Sequence, residues 1–197
     1  MAKTLVLASS SPRRRMLLGE TGLVFDVYPP NVAETLWPSE EAPDAVARLA
    51  RAKALSVAEQ LGTSAQRVVL GADTIVVLDD EILGKPRNAE HAERMLARLC
   101  GRTHRVITGV AVTRSDTMEV RELQVESWVA MRTAPPEEIR AYVATGEPLD
   151  KAGAYAVQGE GRRFVSRVDG SESNVIGLPV EETLALLRSE GIGNEVG

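Results

Sequence analysis

The residues of this chain best suited to chemistry are three cations (Arg13, Lys53, Lys85), two carboxylates (Glu34, Asp73) and one amide, Gln158. Arg13 belongs to Ala8-Ser9-Ser10-Ser11-Pro12-Arg13-Arg14, where a short apolar run gives way to a helix start. Unpaired N–H groups and the helix dipole favour an anion at such a point. Serine hydroxyls, Ser9 among them, and the arginine fork add donors that suit phosphate. The ordinary reading is a capped helix with a solvated basic first turn. Exposed cations there oppose the dipole by about 0.3–1 kcal/mol each, so a bound anion explains the run Arg13 to Arg15 better.

Lys53 falls inside an apolar stripe, because Leu49, Ala50, Lys53 and Val57 share one helix face. Either its stem is buried and its ammonium reaches water, or the side chain meets a negative ligand; periodicity leaves both open. Asp73 stands in the run Val-Val-Leu-Gly-Ala-Asp-Thr-Ile-Val-Val-Leu at 68–78, which is suited to burial. An ionised carboxylate buried there needs a metal, a cation or strong hydrogen bonds. One reading makes Gly71 to Asp73 a turn that the carboxylate caps. The favoured one puts Asp73 at a strand end, lining a site, with Thr74 beside it.

The other signals are weaker alone. Lys85 is flanked by Gly84 and Pro86, which fix the backbone around one cation. Glu34 follows the Pro29-Pro30 bend, and most loop glutamates are solvated. Asp150-Lys151-Ala152-Gly153-Ala154 lets a ligand approach the backbone closely, and the Gln158 amide can read a base edge. His91 and His104 show no partner pattern. Cations and carboxylates with no Ser–His or Cys–His pair match metal-assisted attack of water on a phosphate chain. The carboxylate oxygens suit a hard divalent cation, Mg²⁺ or Mn²⁺. No Walker A loop or Rossmann glycine fingerprint is present.

The chain of 197 residues, 44 % hydrophobic and 26 % charged, can close one sizeable core without splitting into two independent domains. Its net charge of −5 argues against a nucleic-acid partner, as does the 4 % aromatic content. One cysteine and two histidines exclude a disulfide framework and Cys/His zinc sites. No stretch resembles a signal peptide or membrane span, so the expectation is a soluble, cytoplasmic protein with no membrane partner.

The elements that position these residues follow from pattern. A strand at Leu5 to Ala8 leads to a helix from Pro12, capped by Ser11 and closed by Gly19 or Gly22. An amphipathic helix spans Pro43 to Leu61, with Gly62 at its end. Arg67 to Leu70 and Thr74 to Leu78 read as strands, and Asp79-Asp80 as a turn into Glu81 to Leu83. Asn88 caps a helix with a stripe of Ala92, Met95, Leu96 and Leu99, closed by Gly101. Val106 to Thr113 and Leu123 to Met131 read as paired strands. Thr133 is expected to cap a helix from Pro135 to near Gly146. After a loop-rich stretch from Glu147 to Gly161 come a strand at Phe164 to Val168 and a helix from Pro179 to Arg188. The pattern predicts an α/β fold with a mixed sheet and flanking helices.

Leu-Ala-Ser-Ser-Ser-Pro-Arg-Arg (7–14), Gly-Ala-Asp-Thr-Ile-Val (71–76), Gly-Lys-Pro (84–86) and Asp-Lys-Ala-Gly-Ala-Tyr-Ala-Val-Gln-Gly (150–159) together resemble the Maf family. Asp169-Gly170-Ser171 and Val175-Ile176-Gly177-Leu178-Pro179 extend the likeness, so residues 1–197 are expected to form a single Maf-like domain. The resemblance implies a mixed, twisted sheet related to inosine triphosphate pyrophosphatases (Maf/Ham1), with two lobes about a cleft. It implies hydrolysis of a nucleoside triphosphate to monophosphate and pyrophosphate by a homodimer using a divalent metal. Asp73 would take the proton from water and, with Glu34, hold the metal. Lys53 and Lys85 would bind the triphosphate. Ser9 would join the substrate contacts, with Arg13, Thr74 and Gln158 setting preference. Gln158-Gly159 resembles the branch acting on dTTP and UTP more than the branch acting on 7-methyl-GTP. Ala156 stands where glycine is usual, and Ser171-Glu172-Ser173-Asn174 lacks an aromatic often found there. The alternative is a nucleotide-binding regulator of cell division and septum formation without significant turnover.

Overall fold

A computed structural model describes residues 4–63 and 66–193. The chain divides into two compact units that interleave in sequence. The first takes Met1–Asp73, Thr108–Val125 and Gly177–Gly197; the second takes Thr74–Ile107 and Glu126–Ile176.

The strands are β1 (Thr4–Ala8), β2 (Phe25–Tyr28), β3 (Arg67–Leu78), β4 (Glu81–Leu83), β5 (Thr103–Arg114), β6 (Val120–Met131) and β7 (Val165–Asp169). The helices are α1 (Pro12–Gly19), α2 (Ala42–Leu61), α3 (Ala89–Leu99), α4 (Pro136–Val143), α5 (Glu172–Ile176) and α6 (Val180–Ser189). The strands are ordered β2-β1-β3-β5-β6-β7, with β4 paired to β3 off this path. β1 runs parallel to β2 and β3, whereas β3/β4 and β6/β7 are antiparallel. The sheet is therefore mixed, as the pattern predicts. The division between units falls inside β3, β5 and β6, so each of these strands contributes to both.

In the first unit β1 is buried from Leu5 to Ala8 between two neighbours, which explains its unbroken apolar run. Val6, Ala8 and Val69 pack with Val57 and Ala58 of α2. Small residues let α2 come very close. A Cβ built on Gly71 of β3 would lie 2.4 Å from the Ala50 carbonyl oxygen and 2.7 Å from the Ala54 nitrogen. One built on Gly109 of β5 would lie 2.5 Å from the Val46 oxygen. In the second unit Val76, Leu96, Leu99, Val129, Tyr142 and Phe164 belong to one core.

Several boundaries differ from expectation. The two segments expected on either side of Gly71 to Asp73 form one twelve-residue strand, β3. Gly71 is a point of helix contact within that strand, so Asp73 is neither in a turn nor at a strand end. Thr133 caps nothing: Pro135 occupies the cap of α4, which begins at Pro136, because two consecutive prolines set the helix start beyond it. The Glu147 to Gly161 stretch contains 3₁₀ turns at Glu147–Asp150 and Ala152–Ala154, and another begins at Glu160. β2 and α5 lie outside the expected elements. The alternation Phe25-Asp26-Val27-Tyr28 was the available signal for β2. For α5 it was Ser171, whose Oγ accepts the Asn174 N–H at 3.1 Å.

Gly71→Ala must push α2 away from β3, since the obstructing atoms are backbone. Overpacking of this kind costs about 1–3 kcal/mol, and the upper part of that range is expected in urea unfolding. An unchanged midpoint would show that the helix yields freely.

Candidate active site

The first unit holds Ser9 and Arg13 at the start of α1, Glu34 between β2 and α2, Lys53 within α2 and Asp73 within β3. β1 stops at Ala8, which is in register with Gly71, whereas β3 continues past Asp73. Asp73 thus lies mid-strand yet beyond the carboxyl end of its parallel neighbour, where α/β sheets present ligand sites. Its carboxylate is on the face that α2 covers, shared with Gly71 through the strand's alternation.

Lys53 resolves the question left open by periodicity. It is only 4 % exposed, and its ammonium donates to Asp73 Oδ1 at 2.7 Å. The same nitrogen also meets Glu34 Oε1. The side chain therefore ends among carboxylates and does not snorkel to water. The two partners differ in worth. The Asp73 side chain is 11 % exposed and the Glu34 side chain 52 %, so the Glu34 contact is screened and weak while the Asp73 contact is buried.

Glu34 sits beside a braced turn. Arg48 of α2 grips both Glu40 oxygens at 2.6 Å, donates to the Thr35 carbonyl at 3.1 Å, and lies 4.1 Å from the Trp37 ring centroid. This fork holds the Glu40 carboxyl below its ordinary pKa, chiefly through the hydrogen bond. Sequence reading did not single out Arg48. Its spacing from Trp37 and Glu40 carries no motif, and only the fold of the turn brings the three together.

At the start of α1, Ser9 is 4 % exposed and its Oγ accepts the Ser11 N–H at 3.1 Å. Ser11 caps α1 as expected, accepting the Arg14 N–H at 3.4 Å. Arg13 is half-buried beside this cap. Arg14, quoted in the motif but not singled out, donates from Nε to the Gly177 carbonyl at 2.8 Å. Burial lowers its pKa, and the nearby Asp73 and Glu34 oppose that shift. An arginine remains charged in either case, so the first turn of α1 carries positive charge toward the two carboxylates.

Thr74, Lys85 and Gln158 belong to the second unit. Thr74 follows Asp73 on β3, and strand alternation turns its side chain to the opposite face. Lys85 is exposed in the connection from β4 to the Asn88 cap of α3. That connection is tied to the Ala152–Ala154 turn by the Gly153 N–H on the Gly84 carbonyl, 3.1 Å. Gln158 is exposed, following the buried run Gly153 to Val157. Lys151 staples the loop that precedes it. Its ammonium donates to the Glu147 carbonyl at 2.5 Å and to Asp150 Oδ1 at 2.6 Å.

His104 has a partner that no sequence pattern announced. It is 1 % exposed, and its Nε2 lies 2.7 Å from the Tyr155 hydroxyl. Nδ1 has no partner among the described residues. Burial lowers its pKa to about 4, so the ring is neutral at physiological pH.

The chain matches the family model described as Maf-like protein over residues 4–190, and it belongs to that family. It is 53 % identical over 193 residues to a protein of Anaeromyxobacter dehalogenans (strain 2CP-C) named dTTP/UTP pyrophosphatase, covering 97 % of this chain and 96 % of that one. A relative of the same name from Anaeromyxobacter sp. (strain Fw109-5) is 54 % identical over 194 residues, with 97 % and 91 % covered. One from Escherichia coli O157:H7, also so named, is 48 % identical over 184 residues, with 93 % and 91 % covered. Among solved structures, the Staphylococcus aureus Ham1 protein aligns over 95 % of this chain and 100 % of its own at 15 % identity and a TM-score of 0.47. That likeness is too distant to build on.

Two outcomes follow from this geometry. Lys53→Met leaves the Asp73 carboxylate buried without its cation and is expected to cost about 3–5 kcal/mol, read by denaturant unfolding; a neutral result would mean that Asp73 finds other donors. For His104, the unfolded chain binds a proton near pH 6.5 while the folded chain resists until about 4. Its contribution is intact above about 6.5 and is lost as pH falls toward 4, by about 3 kcal/mol. His104→Gln should flatten that part of the stability profile relative to the unaltered chain, and parallel profiles would exclude the buried ring as its source.

Proposed function

We propose that this chain hydrolyses nucleoside triphosphates, dTTP and UTP foremost, to the nucleoside monophosphate and pyrophosphate. Its class, a hydrolase of phosphoanhydride bonds, rests on 48–54 % identity to relatives named dTTP/UTP pyrophosphatase across nearly the whole chain. The observation that carries the mechanism is the Lys53 ammonium shared by Asp73 and Glu34. A buried cation between two carboxylates, with the basic first turn of α1 nearby, is suited to a polyanion and a divalent cation together.

The donor set fits a hard metal ion. Asp73 and Glu34 reach the same nitrogen, so their oxygens lie close together, and Mg²⁺ is often held by one or two carboxylates with phosphate and water filling the rest. No group of three or more His, Cys, Asp or Glu able to hold a metal occurs among the described residues. When bound, the ion would neutralise charge on the phosphate oxygens.

In this reading Asp73 accepts the proton as a water oxygen bonds to phosphorus at the α–β anhydride. The bridging P–O bond breaks and pyrophosphate departs. Lys53 orients Asp73 at rest and exchanges one carboxylate for a phosphate oxygen when the triphosphate arrives. Lys85 serves the same chain of phosphates. Ser9 lines the phosphate end, while Arg13, Thr74 and Gln158 set nucleotide preference. Homodimeric assembly and work in the cytoplasm belong to the same proposal. No helix among the described residues is long and apolar enough to cross a membrane, and light scattering against the 21.2 kDa chain mass tests the dimer.

The deciding experiment measures pyrophosphate release from dTTP, UTP, CTP, GTP and 7-methyl-GTP, each with Mg²⁺, Mn²⁺ or EDTA. Release led by dTTP and UTP and abolished by EDTA is expected. Asp73→Asn should lower kcat by about 10²–10⁴ while nucleotide still binds. Full turnover in that variant would remove Asp73 from the base role, and tight binding without release of pyrophosphate from any nucleotide would favour a regulator.

A further inference from the structure

The segment that carries Gln158 is irregular backbone, and such backbone holds a shape only when its polar groups are satisfied. Next to Gln158, one side chain satisfies two of them directly and a third through a phenol. Glu147 Oε2 accepts the Glu160 N–H at 3.0 Å, and Oε1 accepts the Gly161 N–H at 3.1 Å and the Tyr142 hydroxyl at 2.9 Å. The buried Tyr142 phenol also takes a backbone hydrogen bond from Ala156. The chain is thus tied to the Tyr142 hydroxyl two residues before Gln158, and to the Glu147 carboxylate that accepts from that hydroxyl two and three residues after it.

The turn is shaped to that carboxylate. Gly159, next to Gln158, has φ +86° and ψ −155°, a conformation essentially restricted to glycine. A Cβ there would lie 2.7 Å from Glu147 Oε2, and one on Gly161 would lie 2.6 Å from the Tyr142 oxygen. Burial pushes the Glu147 pKa up, but the backbone donors, the phenol and Lys151 more than offset it, so the group lies below its ordinary range. It remains an anion, and so an acceptor only, throughout the neutral range.

We infer that Glu147 is a positioning residue for nucleotide selectivity: its carboxylate, through Tyr142 and the Glu160 and Gly161 N–H groups, holds Gln158 where the amide can read a base. This rests on the proposed role of Gln158. A group that holds the base equally in ground and transition states changes KM and not kcat, so the effect differs in kind from loss of Asp73.

The test uses the full chain and the ratio of kcat/KM for dTTP over CTP, measured well below each variant's Tm. Glu147→Gln keeps the size of the side chain but turns an amide N–H₂ toward a donor. It is expected to raise KM for dTTP with kcat nearly unchanged and to lower the ratio roughly tenfold, the scale of a lost hydrogen bond. Gln158→Ala should lower it similarly, and the double variant should lose no more than Gln158→Ala alone. If Gln158→Ala collapses the ratio while Glu147→Gln preserves it, the positioning role is overturned and the Gln158 reading stands. If Gln158→Ala leaves the ratio unchanged, the Gln158 reading fails and the Glu147 role fails with it. Should Glu147→Gln not fold, Tyr142→Phe removes a single donor; an unchanged ratio in that variant overturns the proposal.

Discussion

A lysine ammonium inside the apolar stripe of a helix has to be neutralised where it lies, and the first unit is arranged around that demand. Lys53 cannot reach water from its place on α2, so carboxylates must come to it. Asp73 arrives from β3 and Glu34 from the segment between β2 and α2. A buried ion pair is a poor way to gain stability, since desolvation of both charges offsets most of their attraction. Under the proposed function the pair serves chemistry, while the aliphatic packing of the unit supplies its stability.

The distance between α2 and the sheet is what allows the pair to form. Gly71 and Gly109 remove side chains where the helix backbone passes, and Ala50 and Ala54 keep the facing helix surface low. Larger residues would lift α2 and draw the ammonium from Asp73. β1 contributes by ending early: a strand continuing beside Asp73 would cover its backbone edge and move the Ser9 to Ser11 turn away. The helix cap, the strand end and the close helix contact are thus three expressions of one packing arrangement.

The second unit meets a different constraint. Its stretch from Glu147 to Gly161 has little repetitive structure, so its backbone groups depend on side chains for partners. Glu147, Tyr142 and Lys151 meet much of that need, and His104 fixes Tyr155 from β5. These residues determine the course of the loop, whereas Gln158, which they bracket, is left exposed.

Periodicity and capping chemistry are local properties, so most elements were legible in the sequence. The Ser11 and Asn88 caps, the stripe of α2 and the hairpin turn at Asp79-Asp80 each follow from a few adjacent residues. The order of motifs likewise carried membership of the Maf-like family. The same locality explains what was misread. Gly71 looks like punctuation because a sequence cannot show a helix lying against a strand, and Thr133 looks like a cap because two prolines shift the helix start only slightly. The type and suspicious placement of Arg13, Lys53 and Asp73 were determined by the sequence alone. That Lys53 closes on Asp73 and Glu34, that Arg48 braces the turn beside Glu34, and that Glu147 gathers the donors around Gln158 was decided by tertiary structure. Each joins residues distant in the chain or separated by irregular backbone, and no periodic signal encodes such a meeting.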